Sequence, residues 1–288
     1  MTRRQPVREK RKSNEMTTST TDYLLGHEEQ ELARLEHQAA VLAPATRMIL
    51  GLAGIAPGMR VLDLGTGAGD VAFEVAGLVG PEGSVVGVDQ SVKALRFAAV
   101  RAERRELTNV SFIHDDVHTV PIDDEFDAVV GRLILLYTPD PPDVLRKFAR
   151  MVRPGGVVAM MEYDMRAAGM VPQTELGAWT VHLITEAFDR SGLDASLGAK
   201  LKPILRAAGF ADPSVVGLQG YLEPGDPTGP RLGAETVRTL LPAIEKTGIA
   251  TAADVDIDTL EARLLADTIA HDVTFKPPTL VGAWARVR

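Results

Sequence analysis

Three glycines at every second position, Gly65, Gly67 and Gly69, follow the apolar run Val61–Leu64 in VLDLGTGAGD, and three apolar runs in a row carry acids at or near their ends. Asp63 lies in the first, Asp89 closes VVGVD, and Asp115 and Asp116 close FIHDD. Glycine between a strand and a helix lets the backbone take positive φ and come close to a ligand. The carboxyl edge of a parallel sheet is where nucleosides bind. A carboxylate at the second strand end can accept two O–H bonds from a ribose, and an acceptor at the third can take the exocyclic amine of adenine. Asp89 and Ser91 could each also cap the helix that follows. Capping alone does not account for three acids in series, each after a strand, so the pattern reads as a nucleoside cradle.

The spacing narrows the nucleoside. A ribose-holding acid suits NAD and S-adenosylmethionine equally. The dinucleotide fingerprint is GxGxxG, which requires a glycine at position 70, and position 70 is Asp. A carboxylate there repels a pyrophosphate and sits comfortably beside a cationic ligand, which disfavours an NAD-dependent oxidoreductase.

These residues need strands and helices in alternation, and the chain supplies them. Strands are expected at 60–64, 84–88, 110–114, 126–131 and 157–162, with helices at 69–79, 92–106 and 142–152. Continuous apolar runs such as VVGV and AVV point to a parallel sheet covered on both faces. In the helix expected at 92–106, Leu95, Ala98, Ala99 and Ala102 recur on one side. Ahead of the sheet, Leu32, Leu35, Ala39 and Leu42 recur at helical spacing, with Pro44 expected to divide two helices. Beyond 163 the pattern becomes mostly helical, interrupted by PSVVGLQGYL and closed by TLVGAWARVR, both strand-like.

Composition sets outer limits. The 288 residues carry a net charge of −8, which disfavours a general nucleic-acid scaffold. Cysteine is absent, which removes thiolate catalysis and Cys-based zinc sites and suits a cytoplasmic protein. No apolar run is long enough to span a membrane. The Arg/Lys-rich start has no apolar stretch behind it, so it reads as a disordered tail over 1–21 rather than a secretory signal. His114 and His118 are four apart but straddle a strand end, and no His–acid cluster has ligand spacing, so no metal is expected.

With these motifs in hand, Val61–Tyr163 resembles a class I S-adenosylmethionine-dependent methyltransferase of the bacterial small-molecule branch. VLDLGTGAGD matches the glycine motif, VVGVDQS the ribose acid, FIHDDVHTVP the adenine segment, and FDAVVGRLILLYTPD with VRPGG the fourth and fifth strand regions. The resemblance implies an α/β fold with a Rossmann-like seven-stranded sheet in the order 3-2-1-4-5-7-6, strand 7 antiparallel. A helical N-terminal segment and helical lid inserts complete it. It implies one domain over 22–288, with a cofactor core at 55–163 and acceptor-pocket inserts at about 165–200 and 225–275. S-adenosylmethionine is the implied cofactor, held by Gly65, Thr66, Gly67 and Gly69. Asp63 orients the loop or meets the amino group, Asp89 with Gln90 takes the ribose, and Asp116 and Val117, with Asp115 as rival, face adenine. Arg132 lies near the methionine carboxylate, which a guanidinium binds bidentately, or forms an ion pair with a neighbouring acid. Tyr23 closes over the cofactor or anchors the tail.

The implied reaction is in-line displacement of a methyl group onto an O, N or C nucleophile of a small, hydrophobic or aromatic metabolite. His182 and Glu162 are the candidate bases. His182 shares a helical face with Trp179, or is solvated while Trp179 is core. Glu162 ends the fifth strand, or forms a salt bridge with Arg166. Met160, Met161, Met165 and Met170 cluster in sequence near the expected pocket, where thioethers adapt to irregular apolar ligands. The partner is a small-molecule acceptor, with no nucleic acid and no membrane, and the protein is a monomer or homodimer. A cyclase-type catalyst or binding module on the same fold is the alternative. A nucleic-acid methyltransferase is disfavoured, because TPDPPD lies beyond the strand end and lacks the aromatic of an NPPY-like tetrapeptide.

Overall fold

A computed structural model describes residues 39–120 and 125–288. Residues 1–42 and 43–288 separate into two units, and the second contains the whole sheet. The expected tail at 1–21 and Tyr23 lie outside the described residues. A helix, α1, covers 39–53 and includes Pro44. The expected break at Pro44 is therefore absent.

Five parallel strands follow: β1 (Arg60–Leu64), β2 (Ser84–Asp89), β3 (Val110–His114), β4 (Phe126–Arg132) and β5 (Val152–Asp164). Helices α2 (Asp70–Val79), α3 (Val92–Arg104) and α4 (Pro141–Ala149) connect them. Two more strands, β7 (Ser214–Leu218) and β9 (Thr279–Arg286), complete a seven-stranded sheet ordered β3-β2-β1-β4-β5-β9-β7. The last strand, β9, runs antiparallel to both of its neighbours. This is the expected order, with β7 and β9 as its sixth and seventh strands.

The sheet's two faces follow from period-two alternation. Leu62, Leu64, Val129, Val158 and Met160 pack on one side. Val61, Ala128, Val130, Val157, Ala159 and Met161 pack on the other. Burial on both faces is why the strand sequences read as continuous apolar runs. Met160 and Met161, adjacent in sequence, therefore serve two separate sheet cores and not an acceptor pocket.

The helices start where local chemistry satisfies their first amides. The Ser91 hydroxyl accepts from the Ala94 amide at 3.2 Å, and the Asp140 carboxylate accepts from the Asp143 amide at 3.0 Å, with Pro141 behind it. Along α3 the buried positions are Leu95, Phe97, Ala98, Arg101 and Ala102, while Ala99 is exposed. The buried stripe is thus rotated from the one the alanines suggest, toward the larger Phe97.

After β5 the chain builds a helical layer. It comprises β6 (Gly169–Val171), α5 (Glu175–Arg190), α7 (Thr228–Lys246), α8 (Ala252–Val255), α9 (Ile257–Ala270) and β8 (Thr274–Lys276). Between α5 and α7 the chain returns to the sheet through α6 (Leu201–Ala207) and β7. A third apolar core, including Met165, Met170, Leu183, Val237 and Leu264, holds this layer together.

Candidate active site

Parallel register brings the acid-bearing ends of β1, β2 and β3 to one edge: Asp63 pairs with Gly87, and Asp89 with His114. The chain leaves β1 through Gly65, Gly67 and Gly69, with φ of 63°, 54° and 89°. A Cβ at Gly65 would meet Ile134 Cδ1 at 2.6 Å, and one at Gly69 would meet Phe73 Cζ at 2.4 Å. At Gly67 the nearest atom would be 4.0 Å away. The outer glycines are demanded by the protein's own packing, whereas among the described residues Gly67 has open space beside it where a ligand can approach the backbone.

Asp89 holds the loop to the neighbouring strand. Its Oδ2 accepts from the Gly67 amide at 2.9 Å and its Oδ1 from the Ser91 amide at 2.8 Å. Its carbonyl accepts from the Asp115 amide at 3.1 Å. Gln90 is exposed beside it, its carbonyl 3.1 Å from His114 Nε2. In the following turn, Asp115 Oδ1 accepts from the Asp116 amide at 2.7 Å, and Asp116 Oδ1 from the His118 amide at 2.8 Å. Val117 turns its side chain into the core. Its carbonyl accepts from Lys147 Nζ at 2.9 Å. Burial pulls the Lys147 ammonium below its ordinary range, opposed by the charges of Asp115 and Asp116.

Beneath the loop lies a buried charge cluster. Asp63 is fully buried, and among the described residues neither of its carboxylate oxygens has a hydrogen-bond partner; the buried Thr66 Oγ1 has none either. Burial pushes the Asp63 carboxyl up to about 7, although the nearby Thr66 hydroxyl and Arg132 charge oppose the shift. Arg132, at the end of β4, donates to Thr46 Oγ1 at 2.8 Å and to Asp70 Oδ2 at 3.3 Å. The other oxygen of Asp70 accepts from Arg101 at 2.6 Å, and Arg101 also donates to the Ala68 carbonyl at 2.6 Å. The cation beside Asp70 is therefore the protein's own, and Arg132 forms an ion pair with a neighbouring acid.

Arg101 did not stand out in the sequence as a site residue. Its signal was a charged residue on the apolar stripe that Phe97, Ala98 and Ala102 share. Its guanidinium also lies 5.3 Å from the Phe73 ring centroid.

The two candidate bases are placed differently. Glu162 is 1% exposed, and its Oε1 accepts from the Leu135 amide at 2.7 Å. Burial pushes its carboxyl up to about 7, against the backbone amides of Leu135, Ile134 and Leu136. It thereby secures the turn after β4, while Arg166 pairs with Asp189 instead. His182 is exposed on α5.

A cavity opens within the helical layer, lined by Met165, Met170, Ile184, Leu232, Leu264 and Phe275 among others. Val181 lines it and His182 does not. Among the described residues no group of His, Asp and Glu is placed to hold a metal ion, and no helix is long and apolar enough to cross a membrane.

A methyltransferase-domain family model matches residues 55–209, more than half of the chain and the whole of the cradle. The chain belongs to the class I S-adenosylmethionine-dependent methyltransferases. It is 34% identical over 179 residues to the 2-phytyl-1,4-naphtoquinone methyltransferase of Synechococcus elongatus, covering 57% of this chain and 76% of that protein. It is 32% identical over 163 residues to the arsenite methyltransferase of Aquipseudomonas alcaligenes, covering 53% of this chain and 44% of that one. The chain spans about half the length of several curated relatives that it matches. Among solved structures, phosphoethanolamine N-methyltransferase 2 of Haemonchus contortus, which contains S-adenosylhomocysteine, aligns with a TM-score of 0.51 at 22% identity. That alignment covers 85% of this chain and 52% of that one, and at such identity it shows the fold alone.

Proposed function

We propose that this methyltransferase binds S-adenosylmethionine in the glycine cradle and methylates a small, neutral, apolar metabolite held by the helical layer. The observation that carries the cofactor reading is the line of strand-end carboxylates at one sheet edge, beside a loop whose central glycine has open space next to it among the described residues. Asp89 and Gln90 would take the ribose and the turn at Asp115, Asp116 and Val117 the adenine, while Asp63 and Arg132 support the loop from beneath.

The cofactor supplies a methyl group already activated on a sulfonium, so the protein's task is alignment and exclusion of water. Arg101 and Arg132 hold the loop through Asp70. Glu162 is a positioning residue: it fixes the turn after β4 by accepting from the amides there. An exposed His182 is left without a base role. The acceptor then reacts through its own nucleophilicity once the apolar cavity has desolvated it. The inserts at about 165–200 and 225–275 form the acceptor wall, with Met165 and Met170 as its thioethers. We place the reaction in the cytoplasm, which the cysteine-free composition suits.

Calorimetric titration with S-adenosylhomocysteine tests the cofactor half: saturable binding is expected, and its absence overturns the reading. Incubation of a metabolite extract with methyl-labelled cofactor, followed by mass spectrometry, tests the acceptor half. The expected labelled product is a neutral apolar molecule, and label found only in charged metabolites or macromolecules contradicts it.

A further inference from the structure

Three glycines of the helical layer lie close together, and two of them have a packing reason. A Cβ at Gly177 would meet Met170 Sδ at 2.4 Å, and one at Gly229 would meet Phe275 Cδ1 at 2.4 Å. Gly233 has none. A Cβ there would lie 3.6 Å from Leu264 Cδ1, 3.8 Å from Thr180 Cγ2 and 4.0 Å from Phe275 Cζ, all ordinary contacts. Its backbone is regular helix within the 19-residue α7, so no positive φ calls for glycine, and glycine weakens a helix relative to alanine. Gly233 is buried and lies on the cavity wall.

We propose that Gly233 is the size-determining residue of the acceptor cavity: the space that its missing side chain leaves is filled by the ligand. This rests on the reading of that cavity as the acceptor site. The wall defines the ligand's class. Among the described residues no ionisable side chain lines the cavity, so a charged group there would lose its hydration uncompensated. The two threonine hydroxyls of the wall are already engaged as donors: Thr180 to the Leu176 carbonyl at 2.8 Å and Thr236 to the Leu232 carbonyl at 2.7 Å. The part of the ligand that packs against Gly233 is therefore uncharged and hydrocarbon-rich.

The test uses the full chain and the small neutral aromatic indole as the probe, with binding read by calorimetry. The wild-type protein binds it saturably. Gly233→Ala raises the melting temperature, because the helix gains a better former, and weakens probe binding by about tenfold, the cost of moderate overpacking. Gly233→Leu abolishes binding. Should the leucine variant fail to fold, the alanine variant decides alone. Equal probe affinity in wild type and Gly233→Ala overturns the proposal, as does a wild-type protein that does not bind the probe. Titration of S-adenosylhomocysteine into the same variants reads the cofactor site separately. Loss of that binding from the wild type refutes the methyl-transfer reading while the probe result still stands or falls by itself. A probe that binds but does not compete with the methylated metabolite refutes the acceptor assignment of the cavity and leaves its size limit intact.

Discussion

The Gly67 amide donates to Asp89 Oδ2 across a strand boundary, at 2.9 Å. One carboxylate thus fixes the shape of the glycine loop, and it is the acid proposed to grip the ribose. Asp89→Ala removes both, so the loss of S-adenosylhomocysteine affinity should be at least about tenfold, the scale of one charge-assisted hydrogen bond. Calorimetry measures it, and unchanged affinity contradicts the ribose assignment. Asp89→Asn keeps an acceptor for Gly67 and should fall between the two.

Asp70 is a stability prediction. Its carboxylate faces Arg101, whose side chain is fully buried, and Arg132, which is 8% exposed. Breaking a buried pair by removing one partner leaves an uncompensated charge and costs about 3–5 kcal/mol. Asp70→Ala should therefore lower the urea midpoint strongly, and a loss below about 1 kcal/mol would show that the pair is not holding the loop.

Glu162 predicts a pH dependence. Burial pushes its carboxyl up to about 7 in the folded chain from an ordinary 4.5. Between these values the folded state holds a proton that the unfolded state releases. Stability therefore falls as pH rises through this window and levels off above it. Glu162→Gln removes that slope while keeping an acceptor for the Leu135 amide, and should gain up to about 3 kcal/mol relative to wild type above pH 7. Asp63, pushed the same way, leaves a residual slope of the same sign. Urea melts of both proteins at pH 5 and pH 8 check it, and parallel pH profiles rule out the buried carboxyl as their source.

His182→Ala should change little. An exposed side chain away from caps and cores shifts stability by no more than about 0.5 kcal/mol, and the pH profile of turnover should match wild type once an acceptor is in hand. A profile missing a limb near neutrality would restore His182 as a base.

Much of this molecule is legible in its sequence, for physical reasons. Strands buried on both faces read as apolar runs, and the glycine loop reads through its spacing, so the sheet order and the line of acids at its edge follow from local pattern plus family resemblance. Partnerships across the fold do not read that way. Nothing local in α3 says that Arg101 reaches Asp70, thirty-one positions earlier. Arg166 had an acid nearer in sequence than Asp189, yet helix α5 carries Asp189 to it. The methionines divide likewise: Met165 and Met170 reach the cavity, and strand alternation sends Met160 and Met161 to opposite faces of the sheet. The short strands β6 and β8 escape notice because three residues give no periodicity.

Those two short strands have a mechanical consequence. The chain enters the helical layer after β5, returns to the sheet at β7, enters again at α7 and comes back at β9. The pairing of Gly169–Val171 with Thr274–Lys276 fastens the outgoing end of the first excursion to the returning end of the second, and Leu222 adds a bridge to Phe275. A layer with four tethers and a clasp is not built to swing like a door on one hinge; small sliding of packed helices is the motion that its tethers leave open.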